Sequence, residues 1–264
     1  MSRWNRRQIV SASFAAALGY LGPVSSALPS FDGAPWGAER AAAAPPLQTA
    51  TGDPALYAVY IDAALKEGQF EQYTCEFDAA WAILKSFGID STLEDQVVAI
   101  GLDPRIEPYY EATPDGFVVY GGDTTQFFSG DYTQNFLART TGQAMQKIFA
   151  TYAVDVEPVN DRAGIEAALD RSALVWMKAT VDFLPWEPVT WVTPEGKELP
   201  GVLGNDHAVV VMGYNSDVAV IRDILGPTSS NWNRLFEYEV PWETLLAVWE
   251  AQGFDGLAVS PSGQ

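Results

Sequence analysis

The chain has 264 residues, 48% of them hydrophobic and 12% aromatic, which is enough apolar content for a sizeable core in one large domain with extensions. Against 15 Lys and Arg stand 34 Asp and Glu, a formal net charge of −19. Such a surface repels phosphate backbones and anionic lipid, so it argues against nucleic-acid binding and points weakly to cationic or neutral partners. One cysteine and one histidine leave too few soft ligands for a zinc site.

Taken in chain order, "MSRWNRRQIV" opens with Arg3, Arg6 and Arg7 and no acid. It runs into the apolar "SASFAAALGYLGPVSSALP". This is the n-region and h-region of an export signal, and Arg6-Arg7 before Gln8, Ile9 and Val10 has the form of a twin-arginine signal. Residues 1–27 are assigned to it. The apolar run from Ile9 to Leu21 stops at Pro23 and is short for a membrane span, although an uncleaved anchor is the alternative. Residues 28–52 read as an Ala/Pro-rich linker, and 53–264 as the folded domain of an exported protein with no stable span after the signal.

Apolar spacing predicts a helix over Asp53–Lys66. The polar stretch "EGQFEQYT" then leads into Cys75. Phe77, Ala80, Trp81, Leu84 and Phe87 recur at three- and four-residue steps, a helix from Cys75 to Phe87 ended by Gly88. Ser91 with Glu94 forms a capping box that opens a second helix. Residues 103–135, rich in Gly, Asp, Thr and aromatics, read as long loops. "GGDTTQFFSGD" within them lacks the ligand order of an EF-hand. A helix in "TGQAMQKIFATYA", a strand in "VDVEPV", a helix in "RAGIEAALDR" and a strand in "SALVWMKATVDF" follow. The Pro/Trp-rich segment 184–206 reads as another loop. "HAVVVMGYN" and "VAVIRDI" form a hairpin about "NSD", and the chain ends in the strand "LFEYEV", the Pro-started helix "PWETLLAVWEAQG" and the strand "GLAVS". Helices first and an antiparallel sheet second describe an α+β fold. Trp176, Trp186 and Trp191 are read as core and loop packing, with a cleft lining as the alternative.

The chemistry-bearing residues are few. Cys75 opens a helix, where unpaired N–H groups and the macrodipole favour a thiolate. An unpaired cysteine in an exported protein is a liability unless it has a task, although inert core packing is the bland alternative. His207 begins a strand 132 residues later and can take the thiol proton. Asp223, sixteen residues on, lies roughly across the hairpin and can orient the imidazole. Gln69, six residues before Cys75, can donate to a tetrahedral oxyanion together with the Cys75 N–H, and Gln72 competes for that role.

Gln69, five residues, Cys75 at a helix start, then His207 leading "HAVVVMGYN", then Asp223 resemble the motif of the papain-fold peptidases related to bacteriocin-leader-processing proteases. These form cysteine peptidase family 39 and its C39-like group. The resemblance covers about residues 55–260. It implies a papain-like α+β fold and a cysteine peptidase with Cys75 as nucleophile, His207 as base, Asp223 as orienting acid and Gln69 as oxyanion donor. It also implies a peptide or protein substrate and no metal or organic cofactor. Amidase or transamidase chemistry on cell-envelope peptides, and a non-catalytic extracellular binding domain, are the alternatives. The chain departs from the motif in three places. Glu76 follows the cysteine where the family has Gly, Ile224 follows Asp223 where the family often has Pro, and the segment 103–205 is long. A carboxylate beside a thiol opposes ionisation, unless it faces solvent at the helix start.

Overall fold

The computed structural model of the protein describes residues 48–49, 53–228 and 235–263. The expected export signal and most of the linker lie outside them. The first strands are β1 (Gln48–Thr49) and β2 (Val59–Tyr60), followed by helices α1 (Cys75–Ser86) and α2 (Leu93–Ile100). Then come β3 (Leu102–Asp103), β4 (Tyr109–Thr113), β5 (Gly116–Tyr120), β6 (Phe128–Ser129), α3 (Gly142–Thr151) and β7 (Val154–Val159). The rest of the chain forms α4 (Arg162–Asp170), β8 (Leu174–Thr180), β9 (Glu187–Val192), β10 (Glu198–Leu203), β11 (Asp206–Tyr214) and β12 (Val218–Arg222). It closes with β13 (Glu237–Pro241), α5 (Trp242–Ala251) and β14 (Gly256–Pro261).

An antiparallel sheet in the order β1-β13-β12-β11-β8-β14-β7 organises the molecule, with β2 added to the far end of β11. The centre of this sheet is the part whose sequence is apolar on both alternations. Every residue of β8 is buried, and so is β11 from His207 to Gly213. One face carries Leu174, Trp176, Ala208, Val210, Met212 and Val220 into a core shared with α1 and α3. The other carries Val175, Met177, Ala179, Val209, Val211 and Ile221 into a core shared with α4 and α5. Helices thus cover both faces, and the α+β expectation holds.

α1 is apolar nearly all round, with Phe77, Ala80, Ala82, Ile83 and Leu84 fully buried. A helix of that composition belongs inside a fold, and it lies against β11 and β8. Its neighbour α2 is capped by Thr92, whose hydroxyl accepts from Asp95 N–H at 3.1 Å. The cap is therefore one residue beyond the expected Ser91. Ser91 instead accepts from the buried Gln96 amide.

Three expectations are corrected. Residues 53–66 are not a helix: after a single turn at Pro54–Leu56 the chain extends, and Val59 and Tyr60 pair with Tyr214 and Gly213. Helical spacing there was outweighed by aromatic and β-branched residues meeting an open sheet edge, with Tyr57 and Tyr60 donating to Glu239 and Glu237. The two supposed loops, 103–135 and 184–206, supply a second sheet in the order β10-β9-β5-β4, in which β5 and β9 run parallel. Its small core is Val119, Leu137, Val189 and Trp191. Trp191 packs so closely on Gly121 that a Cβ there would lie 1.9 Å from the ring. Trp176 and Trp191 are buried and Trp186 packs at the edge of a core, which is the packing role expected of them.

Candidate functional site

The loop before α1 is tied to the helix by one carboxylate. Asp78 accepts from Phe70 N–H at 3.0 Å and from the Thr74 hydroxyl at 2.7 Å, and pairs with Lys66 at 2.5 Å. This bracket fixes the chain next to Gln69. The Gln69 side chain is half-buried and makes no hydrogen bond among the described residues. Gln72 is exposed and donates to Tyr73.

Cys75 is the first residue of α1 and is buried. Its thiol donates to Glu76 Oε2 at 3.1 Å, and no hydrogen bond joins it to His207. Burial pushes the thiol pKa well up, the charge of Glu76 adds to that, and Asp206 contributes in the same direction while Lys178 opposes it. Asp206 immediately precedes His207, but successive side chains of a strand alternate between faces: Lys178 and Asp206 join Glu76 on the α1 side, whereas His207 pairs in the ladder with Ala179 of the opposite core.

Glu76 does not face solvent, as a residue serving only the helix dipole would. It is fully buried. Its Oε1 receives Lys178 Nζ at 2.7 Å and Thr140 N–H at 3.2 Å, while its carbonyl accepts from the Trp176 indole at 3.1 Å. Lys178 is equally buried and bridges to Asp206 Oδ2 at 2.8 Å. Asp206 also receives the Gln252 amide at 2.6 Å and has Arg139 Nε at 3.5 Å. Burial would lower the Lys178 pKa, yet Asp206 and Glu76 outweigh it and hold the ammonium above its ordinary value. Burial likewise works against ionised Asp206, but Arg139 and Lys178 keep its carboxyl below the usual range. Buried charges persist where each is paired, and here two cations and two carboxylates interlock.

The imidazole sits in a second cluster. His207 pairs with Ala179 of β8 in the ladder and is buried. Its Nε2 lies 2.9 Å from Asp223 Oδ1. The other oxygen of Asp223 accepts from the Tyr238 hydroxyl at 2.7 Å, and Leu225 N–H donates to Oδ1 at 2.9 Å. The ladder pairs Val210 with Arg222, so Asp223 falls opposite Val209 and reaches His207 diagonally. The two lie roughly across the hairpin, offset by two residues in the ladder. The ladder closes at Tyr214–Ala219, so the turn is centred beyond Asn215, and the bulge between Val211 and Gly213 gives β11 one extra residue. With Nε2 committed to Asp223, Nδ1 is the nitrogen left for proton transfer.

Of the four expected residues the structure joins two, His207 and Asp223, by a hydrogen bond. Cys75 bonds elsewhere, and Gln69 is held nearby in sequence with a free amide. Lys178, Asp206, Arg139 and Tyr238 were not singled out from sequence. Lys178 carried a signal, a lone cation inside the apolar run "LVWMKAT". Among the described residues no group of three or more His, Cys, Asp or Glu side chains is placed to hold a metal. No helix among them is long and apolar enough to cross a membrane.

No family model matches the chain, and no curated protein matches it in sequence. Among solved structures, a crystal structure described as a "putative C39-like peptidase from Bacillus anthracis" is similar to it, with a TM-score of 0.59 at 16% identity. The match covers 78% of this chain and 98% of that one. The similarity establishes a shared fold, that of a C39-like peptidase.

Proposed function

We propose that this chain is an exported cysteine peptidase of the C39-like kind. Cys75 attacks a peptide carbonyl, and the thiol proton passes to His207 Nδ1. The Gln69 amide and the Cys75 N–H hold the oxyanion. His207 then protonates the leaving amine, and water releases the acyl group by the same route in reverse. Asp223 keeps the imidazole in the tautomer and orientation this requires, with its own oxygens held by Tyr238 and Leu225. The observation that carries the reading is the buried His207–Asp223 hydrogen bond of 2.9 Å. The acidic chain suits cationic peptides.

A second reading has its own observation. A thiol that is buried, bonded to a carboxylate and raised in pKa is what a non-catalytic binding domain on this fold would contain. Fluorogenic peptide amides of opposite charge, offered to the full chain, separate the two. The peptidase reading expects turnover that is faster on basic peptides and lost in both Cys75→Ser and His207→Ala. Turnover unchanged in Cys75→Ser, or none on any peptide together with a thiol that alkylates only after denaturation, overturns it in favour of the binding domain.

A further inference from the structure

The residue after the cysteine is the place where this chain builds something of its own. Glu76 spends its two oxygens on different partners: Oε1 on Lys178 and the Thr140 N–H, Oε2 on the Cys75 thiol. The carboxylate is therefore anchored at one end and lies on the sulfur at the other. The anchor is itself held. Lys178 is clamped between Glu76 and Asp206, and Asp206 between Lys178, Gln252 and Arg139. These residues come from α1, β8, β11, the tail of α5 and the segment before α3. Asp255, just before β14, adds a further carboxyl, bound to the Gly142 N–H at 2.9 Å. A glutamate tolerated by accident beside a helix start has cheaper places to go, since water lies one rotamer away from most surface positions and buried ions cost several kcal/mol each.

We propose that Glu76 is a carboxylate restraint on the nucleophile: anchored by Lys178, it holds the Cys75 proton on sulfur and away from the imidazole, and the thiol becomes available only when that carboxylate leaves it. This rests on the peptidase reading for the word nucleophile alone. The restraint is a property of the thiol and is measured without turnover. The charge bookkeeping gives the sign. Glu76 and Asp206 face the sulfur as negative charges and Lys178 as the positive one, with Arg139 and Asp255 behind them, and the ring of His207 is tied to Asp223. Removing Glu76's charge leaves Lys178 beside the sulfur with Asp206 as its remaining carboxylate partner and favours the thiolate.

The test is the pH profile of Cys75 alkylation by iodoacetamide in the native full chain, with folding followed by circular dichroism. Glu76→Gln is expected to move the midpoint down by at least one pH unit, which is tenfold or more in rate at neutral pH. Lys178→Met is expected to move it up. The double variant Glu76→Gln with Lys178→Met removes both charges together, and it is expected to react faster than the unaltered chain even where Lys178→Met alone fails to fold. A midpoint within about 0.3 of the unaltered chain in Glu76→Gln, roughly the twofold rate change that tenfold-per-unit scaling gives, overturns the proposal. So does loss of the native fold in both Glu76 variants, because the carboxylate would then be structural only. A shifted profile in a chain that cleaves no peptide keeps the restraint and removes the peptidase reading.

Discussion

The two halves of the candidate site are built to opposite rules. On the imidazole side, one carboxylate meets one ring, and its remaining capacity is taken by a tyrosine hydroxyl and a backbone N–H. On the thiol side, a carboxylate competes for the proton and is locked in place by a buried lysine. On the proposed reading the first arrangement readies a base. On the same reading the second holds back a nucleophile. Fold similarity speaks to neither, because a shared backbone at 16% identity leaves these side chains free to differ.

The largest expected effect tests the imidazole side. Asp223→Asn keeps the shape but favours the wrong tautomer, and in a triad that change costs on the order of 10⁴ in turnover. Here a fall of at least about 10³ is expected on whichever peptide the unaltered chain cleaves best, allowing for that spread. The native fold should be retained. A fall under roughly tenfold would mean that Asp223 is a structural acceptor and that the contrast between the two sides is false.

The thiol side is broken next. Lys178→Met strands Glu76 as a buried carboxylate and leaves Asp206 to Arg139 and Gln252, and removing one partner from a buried pair destabilises by about 3–5 kcal/mol. Urea unfolding would read it. Pairing it with Glu76→Gln should restore part of the loss, since one stranded charge disappears. If the single variant costs less than about 1 kcal/mol, the ammonium behaves as a solvated surface charge and the lock has no anchor.

A smaller effect falls within the imidazole cluster. Tyr238→Phe withdraws one donor from Asp223 Oδ2, and a hydrogen bond to a charged group is worth about 1.5–3 kcal/mol. The stability loss should be accompanied by a modest drop in turnover with little change in KM, because the tyrosine acts through Asp223. A changed KM with unchanged turnover would place Tyr238 in substrate binding instead.

How much of this was legible in the sequence follows the same divide. The central strands β8 and β11, the helices α1, α3, α4 and α5, and the hairpin carrying His207 and Asp223 all announced themselves through periodicity and a short polar turn. Their environments are dominated by local pattern and burial. The second sheet did not. Pro188 and Pro200 inside β9 and β10, and the Gly- and Asp-rich flanks of β4 and β5, read as loop chemistry. Only a long-range parallel pairing of β5 with β9 makes strands of them. Residues 53–66 failed for the reverse reason, as a helical spacing was overruled by an available edge on β11. At the site, Cys75, His207 and Asp223 were singled out because each type is rare or suitably spaced, and the structure joins His207 to Asp223 while the Cys75 thiol bonds to Glu76. The partner of Glu76 was not, since nothing in a linear sequence couples position 76 to position 178.

The smallest effect sharpens the comparison by pH. Asp206 and Asp255 are both buried near Lys178 and Arg139, yet they are shifted in opposite directions. Asp206 is held below its ordinary value by Arg139 and Lys178 against the cost of burial. Burial holds Asp255 above its own, and the Gly142 N–H and the same two cations do not offset it. A depressed carboxyl contributes stability that is present above the unfolded value of about 4 and lost as pH falls through its lowered folded value. A raised one contributes below about 4 and loses that contribution as pH rises through its raised folded value. Relative to the unaltered chain, Asp255→Asn should therefore gain stability as urea unfolding is moved from pH 4 to pH 7. Asp206→Asn should lose stability over the lower part of the range, from pH 2.5 upward, and then level off. Both slopes having the same sign would mean that the two carboxyls share one environment. The thiol-side charges would then form a diffuse acidic region, and Lys178 would have no preferred partner through which to anchor Glu76.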